Sequence, residues 1–335
     1  MKDLIIKQIG LLLTIVSMVL FCGCPSSPYE YTFFPPDGYS SLFAEDINNN
    51  GEVVGTDIRY GPFYAFLDSV ALIYNGSDYT FISPEGWRFS SASAINDSGE
   101  VVGWGEDANG AKKGFIYSGG VYFELLQEGW SLTIAFDINN NGEVVGWGVD
   151  GAGVDKGFIY SGGQYTELLP PHWAKAYALG INNNGEVIGE GEDATAITKG
   201  FIYKDGQYTE LLPPNWHRAS AEHINNNGEV VGQGVDGAGK SKGFIYSNGK
   251  YTFILPDGWS GVGITGINDS GEIIGCSLQS PRDLLPGQGF VYSNGTYTFL
   301  PPKVIPFGIN NKGVVVGSKQ DDYGARGFIA TPVTK

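Results

Sequence analysis

Ile138-Asn139-Asn140-Asn141-Gly142-Glu143-Val144-Val145-Gly146 is one of seven copies of a single string. The shared pattern, Ile-Asn-x-x-Gly-x-(Val/Ile)-(Val/Ile)-Gly, begins at Ile47, Ile95, Ile138, Ile181, Ile224, Ile267 and Ile309. Successive copies lie 48, 43, 43, 43, 43 and 42 residues apart. A period in the forties fits four-stranded propeller blades or two-helix solenoid units. The interior of each unit is rich in Val, Ile, Phe, Tyr and Thr and is punctuated by Gly, Asn and Asp, so it reads as strands and turns.

The third copy shows the unit. Residues 133–139 predict a first strand, a, and Asn140-Asn141-Gly142 a tight turn whose glycine suits the left-handed conformation. Residues 143–148 predict strand b, 149–156 a polar Gly-rich loop, 157–161 strand c, and 164–169 strand d. The c-to-d turn is Gly162-Gly163 here and Asp205-Gly206, Asn248-Gly249 or Asn294-Gly295 elsewhere, pairs that favour a type I′ hairpin. Such a four-stranded meander cannot bury both of its faces alone, so the sheets must stack.

The chain ends indicate how the stack closes. The last copy supplies strands a, b and c and stops before a strand d. Near the start, Tyr31-Thr32-Phe33-Phe34-Pro35-Pro36-Asp37-Gly38 aligns with the strand d segment Tyr251-Thr252-Phe253-Ile254-Leu255-Pro256-Asp257-Gly258. An orphan d strand at one end and a missing one at the other predict a ring sealed by a shared blade, which also hides sheet edges. The expectation is an all-β, seven-bladed β-propeller of four-stranded blades, closed by the N-terminal strand. Its blades are 40–86, 87–129, 130–172, 173–215, 216–258, 259–301 and 302–330, the last completed by 29–36. The alternative, a linear β-solenoid, needs capping repeats and has no use for the complementary ends.

The first 23 residues read as a leader. Lys2 and Lys7 precede an apolar run, residues 11–21, too short to span a bilayer as a helix. Phe21-Cys22-Gly23-Cys24 resembles a bacterial lipobox, which implies cleavage after Gly23, lipidation of Cys24 and a tether over 24–28. Ordinary secretion with cleavage nearby is the alternative. The full chain carries a net charge of −16, and loss of the leader, with two lysines and one aspartate, makes it one unit more negative. An acidic surface of this kind repels phosphate backbones and argues against nucleic acid as a partner. Beyond Cys24 only Cys276 remains as a thiol, so no internal disulfide is expected despite an oxidising compartment.

The repeat resembles the extracellular HAF family, whose unit pairs an I-N-x-x-G-x-V-V-G hairpin with a second hairpin of H-A-F type. Tyr64-Ala65-Phe66 is the nearest match to that triplet. Other copies read Lys156-Gly157-Phe158, Lys199-Gly200-Phe201 and Lys242-Gly243-Phe244, without the histidine. The resemblance covers nearly all of residues 29–330. It implies secretion and a propeller-like array, and it brings no activity with it.

With strand a innermost, the a-to-b and c-to-d turns share one face of the ring and the other connections share the opposite face. Trp87, Trp130, Trp173, Trp216 and Trp259 recur every 43 residues in the d-to-a connection, and Tyr39 fills that slot in the first copy. Six aromatics on one face would form a stacking platform for a glycan or an anchor set for a protein. The competing and preferred reading is repeated packing between blades.

The asparagine turns lack the clustered carboxylates of a calcium loop, and hairpin geometry is a sufficient reason for their Asn and Gly. The loop from Asp150 to Asp155 holds two carboxylates, a weak calcium candidate because sister copies replace the second. His172, His217 and His223 show no metal-ligand spacing. Glu124, Glu167 and Glu210 repeat in strand d, which argues for rim roles. Symmetry breaks at residues 57–72 and 276–288. No catalytic group, metal or cofactor emerges. The functional expectation is a monomeric, lipid-anchored envelope propeller acting as a non-enzymatic binding or scaffolding module for a protein or glycan. Its alternatives are a multivalent lectin and, more remotely, a glycan-processing enzyme, which would need an acid/base pair that is not visible.

Overall fold

The computed structural model describes residues 27–34, 40–60, 66–278, 287–321 and 324–333. These form 28 strands and no helix, arranged as seven four-stranded antiparallel sheets. The chain is a seven-bladed β-propeller.

Blade three is representative. Its strands a to d are Leu132–Ile138, Val144–Val149, Asp155–Ser161 and Gln164–Leu168, paired in that order. The a-to-b turn is closed by the Gly142 amide donating to the Asn139 carbonyl, and Gly142 sits at a φ of 76°. Gly162 and Gly163 both have positive φ, as a type I′ turn requires. The a and b strands slip register between Ala135 and Asp137. That bulge recurs at the same place in every blade, for example between Ala44 and Asp46 and between Ala221 and His223. It turns the last residues of each inner strand toward the ring axis.

The seam is sealed as the chain ends indicate. Tyr29–Phe33 is the outer strand of the last blade and pairs with Gly324–Pro332, from Tyr29 opposite Pro332 to Phe33 opposite Phe328. The Phe34 amide extends the ladder by donating to the Gly327 carbonyl. Residues 35–36 of the expected clasp lie outside the described residues.

The core is interblade. Each blade buries the two branched residues of its repeat string together with a large side chain of strand c, Leu72 in blade one and Phe115, Phe158, Phe201, Phe244, Phe290 and Phe328 in the other six. One cluster joins Val145 and Leu168 of blade three to Trp173, Ala176 and Phe201 of blade four. Packing of neighbours, not any single sheet, therefore carries the stability.

One boundary departs from expectation. Strand a begins earlier in blades two, four and five, where it spans Trp87–Ile95, Trp173–Ile181 and Trp216–Ile224. Those three tryptophans start a strand instead of lying in the connection before it. The physical reason is a second register shift, between Trp173 and Lys175 in blade four, which lets the strand continue past a one-residue bulge at Ala174.

Candidate functional site

The asparagine turns converge around the axis on one face and lock the ring. The first Asn of each string is buried, and its Nδ2 donates to the backbone carbonyl of the same Asn in the next blade. The bonds run Asn48 to Asn96, Asn139, Asn182, Asn225, Asn268, Asn310 and back to Asn48, all at 3.0–3.1 Å. A second circle lies beside it. The amide of each next residue donates to the side chain one blade on, through Asn49, Asp97, Asn140, Asn183, Asn226, Asp269 and Asn311, at 2.8–2.9 Å.

Hairpin geometry accounts for the glycine of each turn, but not for an asparagine before it. Only an amide side chain can accept from the amides two and four residues on while donating across the junction. That invariance at the second position was the signal that the turn explanation absorbed. In six blades the same Nδ2 also meets a glutamate, from Glu52 to Glu272, at 2.6–2.8 Å. In the second circle, burial alone would raise Asp97, but donation from Asn49 and Asn140 holds its carboxyl below the usual range.

Inside the circles opens an axial funnel of about 250 Å³, lined by the ends of the inner strands. Its walls break the sevenfold repetition. Glu45, Asp46, Asp137 and His223 stand where other blades carry Ser93, Ala94, Leu179, Gly180, Gly266 or Gly308. Burial pushes Glu45 up to about 7, and the neighbouring Asp46 adds to it. Burial likewise lifts Asp137 to about 7, although it accepts the amides of Ile181 at 2.9 Å and Ile138 at 2.8 Å. Asp46 accepts from the Ile95 amide at 3.0 Å and is also raised by burial. His223 is lowered to about 4 by burial, so it lines the wall as a neutral imidazole at neutral pH. Thr265 Oγ1 lines the same wall and has no hydrogen-bond partner. Phe136, Leu179 and Phe307 add an apolar sector.

The repeated tryptophans do not form an open platform. Trp130, Trp173 and Trp216 are 7%, 6% and 9% exposed, and Trp87 and Trp259 are half-buried. Each ring stands edge-on to the strand c phenylalanine of its own blade, with centroids 5.8–6.3 Å apart. In four blades the ring also covers the second glycine of the b strand. A Cβ on Gly148 would fall 2.3 Å from Trp130, and one on Gly191 2.7 Å from Trp173. Tyr39 lies outside the described residues, as do the leader, Cys24 and most of the tether.

The other candidates are structural. Lys156 bridges Asp150 and Glu167 at 2.9 and 2.7 Å, and Lys113 and Lys199 repeat the arrangement with Glu124 and Glu210. Asp150 also accepts the Ala152 and Val154 amides, which makes it a loop cap. Among the described residues no group of three or more His, Cys, Asp or Glu side chains could hold one metal ion. Cys276 is half-buried, and burial pushes its thiol up. Of the 276–288 break, residues 279–286 lie outside the described set, as do 61–65 of the first.

No family model matches the chain, and no curated protein matches it. Solved structures do. The β-propeller domain of the Trilobed protease from Pyrococcus furiosus, described as having an open velcro topology, superimposes with a TM-score of 0.63 at 12% identity, over 89% of this chain and 97% of that one. An acylaminoacyl peptidase bound to Z-Gly-Gly-Phe-chloromethyl ketone gives 0.60 at 11% identity, over 87% and 51%. YCF48 bound to D1 peptide gives 0.53 at 12% identity, over 93% and 97%.

These likenesses establish the fold. The chain spans about half the length of the acylaminoacyl peptidase. They overturn the expectation of a non-enzymatic binding or scaffolding propeller, together with its lectin alternative. Several of the propellers it resembles belong to peptidases, and the aromatic slots that suggested a lectin are packed inside. The fold is one found in peptidases.

Proposed function

We propose that this chain is the peptide-admitting propeller of an exported peptidase system, drawing a cationic peptide end or side chain into its axial funnel. In this reading the propeller selects the peptides that reach the site of cleavage. Lipidation at Cys24 and residence in the cell envelope complete the proposal, supported by the leader and by the extracellular character of the repeats it resembles.

The observation that carries it is the asymmetric acidic wall. Glu45, Asp46 and Asp137 place three carboxyls in the non-repeating lining at the axis, inside a face already edged by six glutamates and by Asp97 and Asp269. A funnel of about 250 Å³ suits a chain terminus or one long side chain, and is small for a drug-sized ligand. The net charge of −16 steers cations toward it.

The test is anisotropy of a fluorescent peptide carrying two lysines, titrated with residues 24–335. The double variant Glu45→Gln/Asp137→Asn should weaken binding by about tenfold or more, the effect of removing charge-assisted contacts. The same peptide with acetylated lysines and terminus should bind no better to wild type than to the variant. Equal affinity of wild type and variant for the lysyl peptide would sink the proposal.

A further inference from the structure

A second cavity, of about 230 Å³, lies where the inner strands of blades four, five and six meet, away from the asparagine circles. Its origin is legible as a missing plug. At the junction of blades three and four, Trp147 of strand b stands edge-on to Tyr177 of strand a, with centroids 5.1 Å apart. The same two slots at the next junction hold Glu190 and Ser220, and at the one after that Gln233 and Gly263. Where one junction is filled by two aromatic rings, the next two carry polar side chains or glycine in the same slots.

The replacements are arranged for a ligand. Glu190, Glu222, Ser220 and Gln233 line the cavity, with Val262 and Leu278 as an apolar side and the exposed Arg218 at the rim. Gln233 donates to Glu222 at 3.1 Å and accepts from the Ile264 amide at 3.3 Å, which fixes the amide and steadies the carboxylate. Burial raises the Glu222 carboxyl, and Glu190 adds to it. The Ser220 hydroxyl and Gln233 ease its charge from nearby. Ser220 is nevertheless only 8% exposed, and its Oγ makes no hydrogen bond of full geometry. A buried hydroxyl with no well-formed hydrogen bond beside two carboxylates is a costly arrangement for packing alone.

We infer that this cavity is a binding site for a guanidinium or alkylammonium group. Two carboxylates and a hydroxyl offer acceptors to a cation with several N–H donors, which an apolar or anionic guest cannot use. Arg218 at the mouth leaves the neutral or negative remainder of the ligand outside. The site is distinct from the axial funnel and does not depend on the peptide reading of it.

Calorimetric titration with L-arginine amide tests this, in a Glu45→Gln/Asp137→Asn background that silences the funnel. That background should show saturable binding. Glu190→Gln and Glu222→Gln should each weaken it about tenfold, and Ser220→Tyr, which restores the residue of the sister slot, should abolish it. A thermal melt of Ser220→Tyr no lower than wild type shows that the loss is occupancy of the cavity and not unfolding. A peptide with one internal arginine separates a free cation from a side chain presented by a protein, since only the latter source requires that peptide to bind. Absence of saturable heat in that background across the millimolar range, or undiminished binding after Ser220→Tyr, would each overturn the assignment.

Discussion

Replacing Asn182 with alanine isolates what the asparagine circle contributes. Asn182 is buried, and its side chain makes four hydrogen bonds. Its Oδ1 accepts the Asn184 and Glu186 amides at 3.0 Å each. Its Nδ2 donates to the Asn225 carbonyl at 3.1 Å and to Glu186 Oε2 at 2.7 Å. A net worth of about 1 kcal/mol per bond, with more for the charged partner, gives a loss of about 4–5 kcal/mol for Asn182→Ala. Asn183 stands one residue away in the same turn. Its side chain accepts one bond, from the Asn140 amide at 2.8 Å, and Asn183→Ala should cost about 1 kcal/mol. Asn182→Asp should be nearly as damaging as the alanine, because it keeps the acceptor but sets a second carboxylate against Glu186. Equilibrium urea unfolding of the three variants reads these differences as midpoint shifts at constant slope. Equal and small losses at Asn182 and Asn183 would refute the idea that the first asparagine clasps blade to blade.

Other outcomes follow from packing, charge and closure. Trp173→Ala should cost about 3–5 kcal/mol in the same assay, because the ring is 6% exposed against Phe201 and over Gly191; a loss under about 1 kcal/mol would mean the ring is dispensable to packing. Asp137 has its pKa raised when folded, so the folded state holds its proton after the unfolded chain has released it. Its contribution to stability is therefore present at acid pH and lost as pH climbs from the ordinary carboxylate range to about 7. Relative to wild type, Asp137→Asn should gain on the order of 2–4 kcal/mol across that window and stay level above it; a difference that does not change with pH would contradict the raised value. Deletion of residues 29–34 removes the strand that pairs with Gly324–Pro332, and thermal unfolding should show loss of the whole domain's cooperativity, where an unshifted transition would show the clasp to be idle.

The fold was legible because propeller chemistry repeats. Seven Ile-Asn-x-x-Gly strings at a near-constant period, and the match between residues 31–38 and 251–258, specify blade number and closure without any tertiary information. The tryptophans were legible as a set but not as to exposure. A ring flanking a strand start can face solvent or a neighbour, and only the glycine beneath it, as at Gly191, marks the packed case. The asparagine circle is hidden in the sequence because turn propensity accounts for Asn locally, whereas its bond reaches the next blade, 42 to 48 residues away except where Asn310 closes the ring onto Asn48. The funnel was hidden for the opposite reason. Asp46, Asp137 and His223 occupy equivalent places at the strand a bulge, but the other blades carry Ala94, Gly180, Gly266 and Gly308 there, so no repeat pattern marks the site until the ring brings these residues to one axis. The cavity beside Ser220 appears only when Trp147 and Tyr177 are seen to be partners across a junction.

The most direct measurement is photo-crosslinking of a lysyl peptide bearing a benzophenone group, followed by mass spectrometric mapping on the full mature chain. Adducts should concentrate on the strand ends and turns around the axis, residues 45–49, 136–140 and 179–183, and should fade when unlabelled peptide competes. Adducts confined to the outer strands, such as 121–125 or 164–168, or unchanged by competition, would contradict a peptide site at the axis.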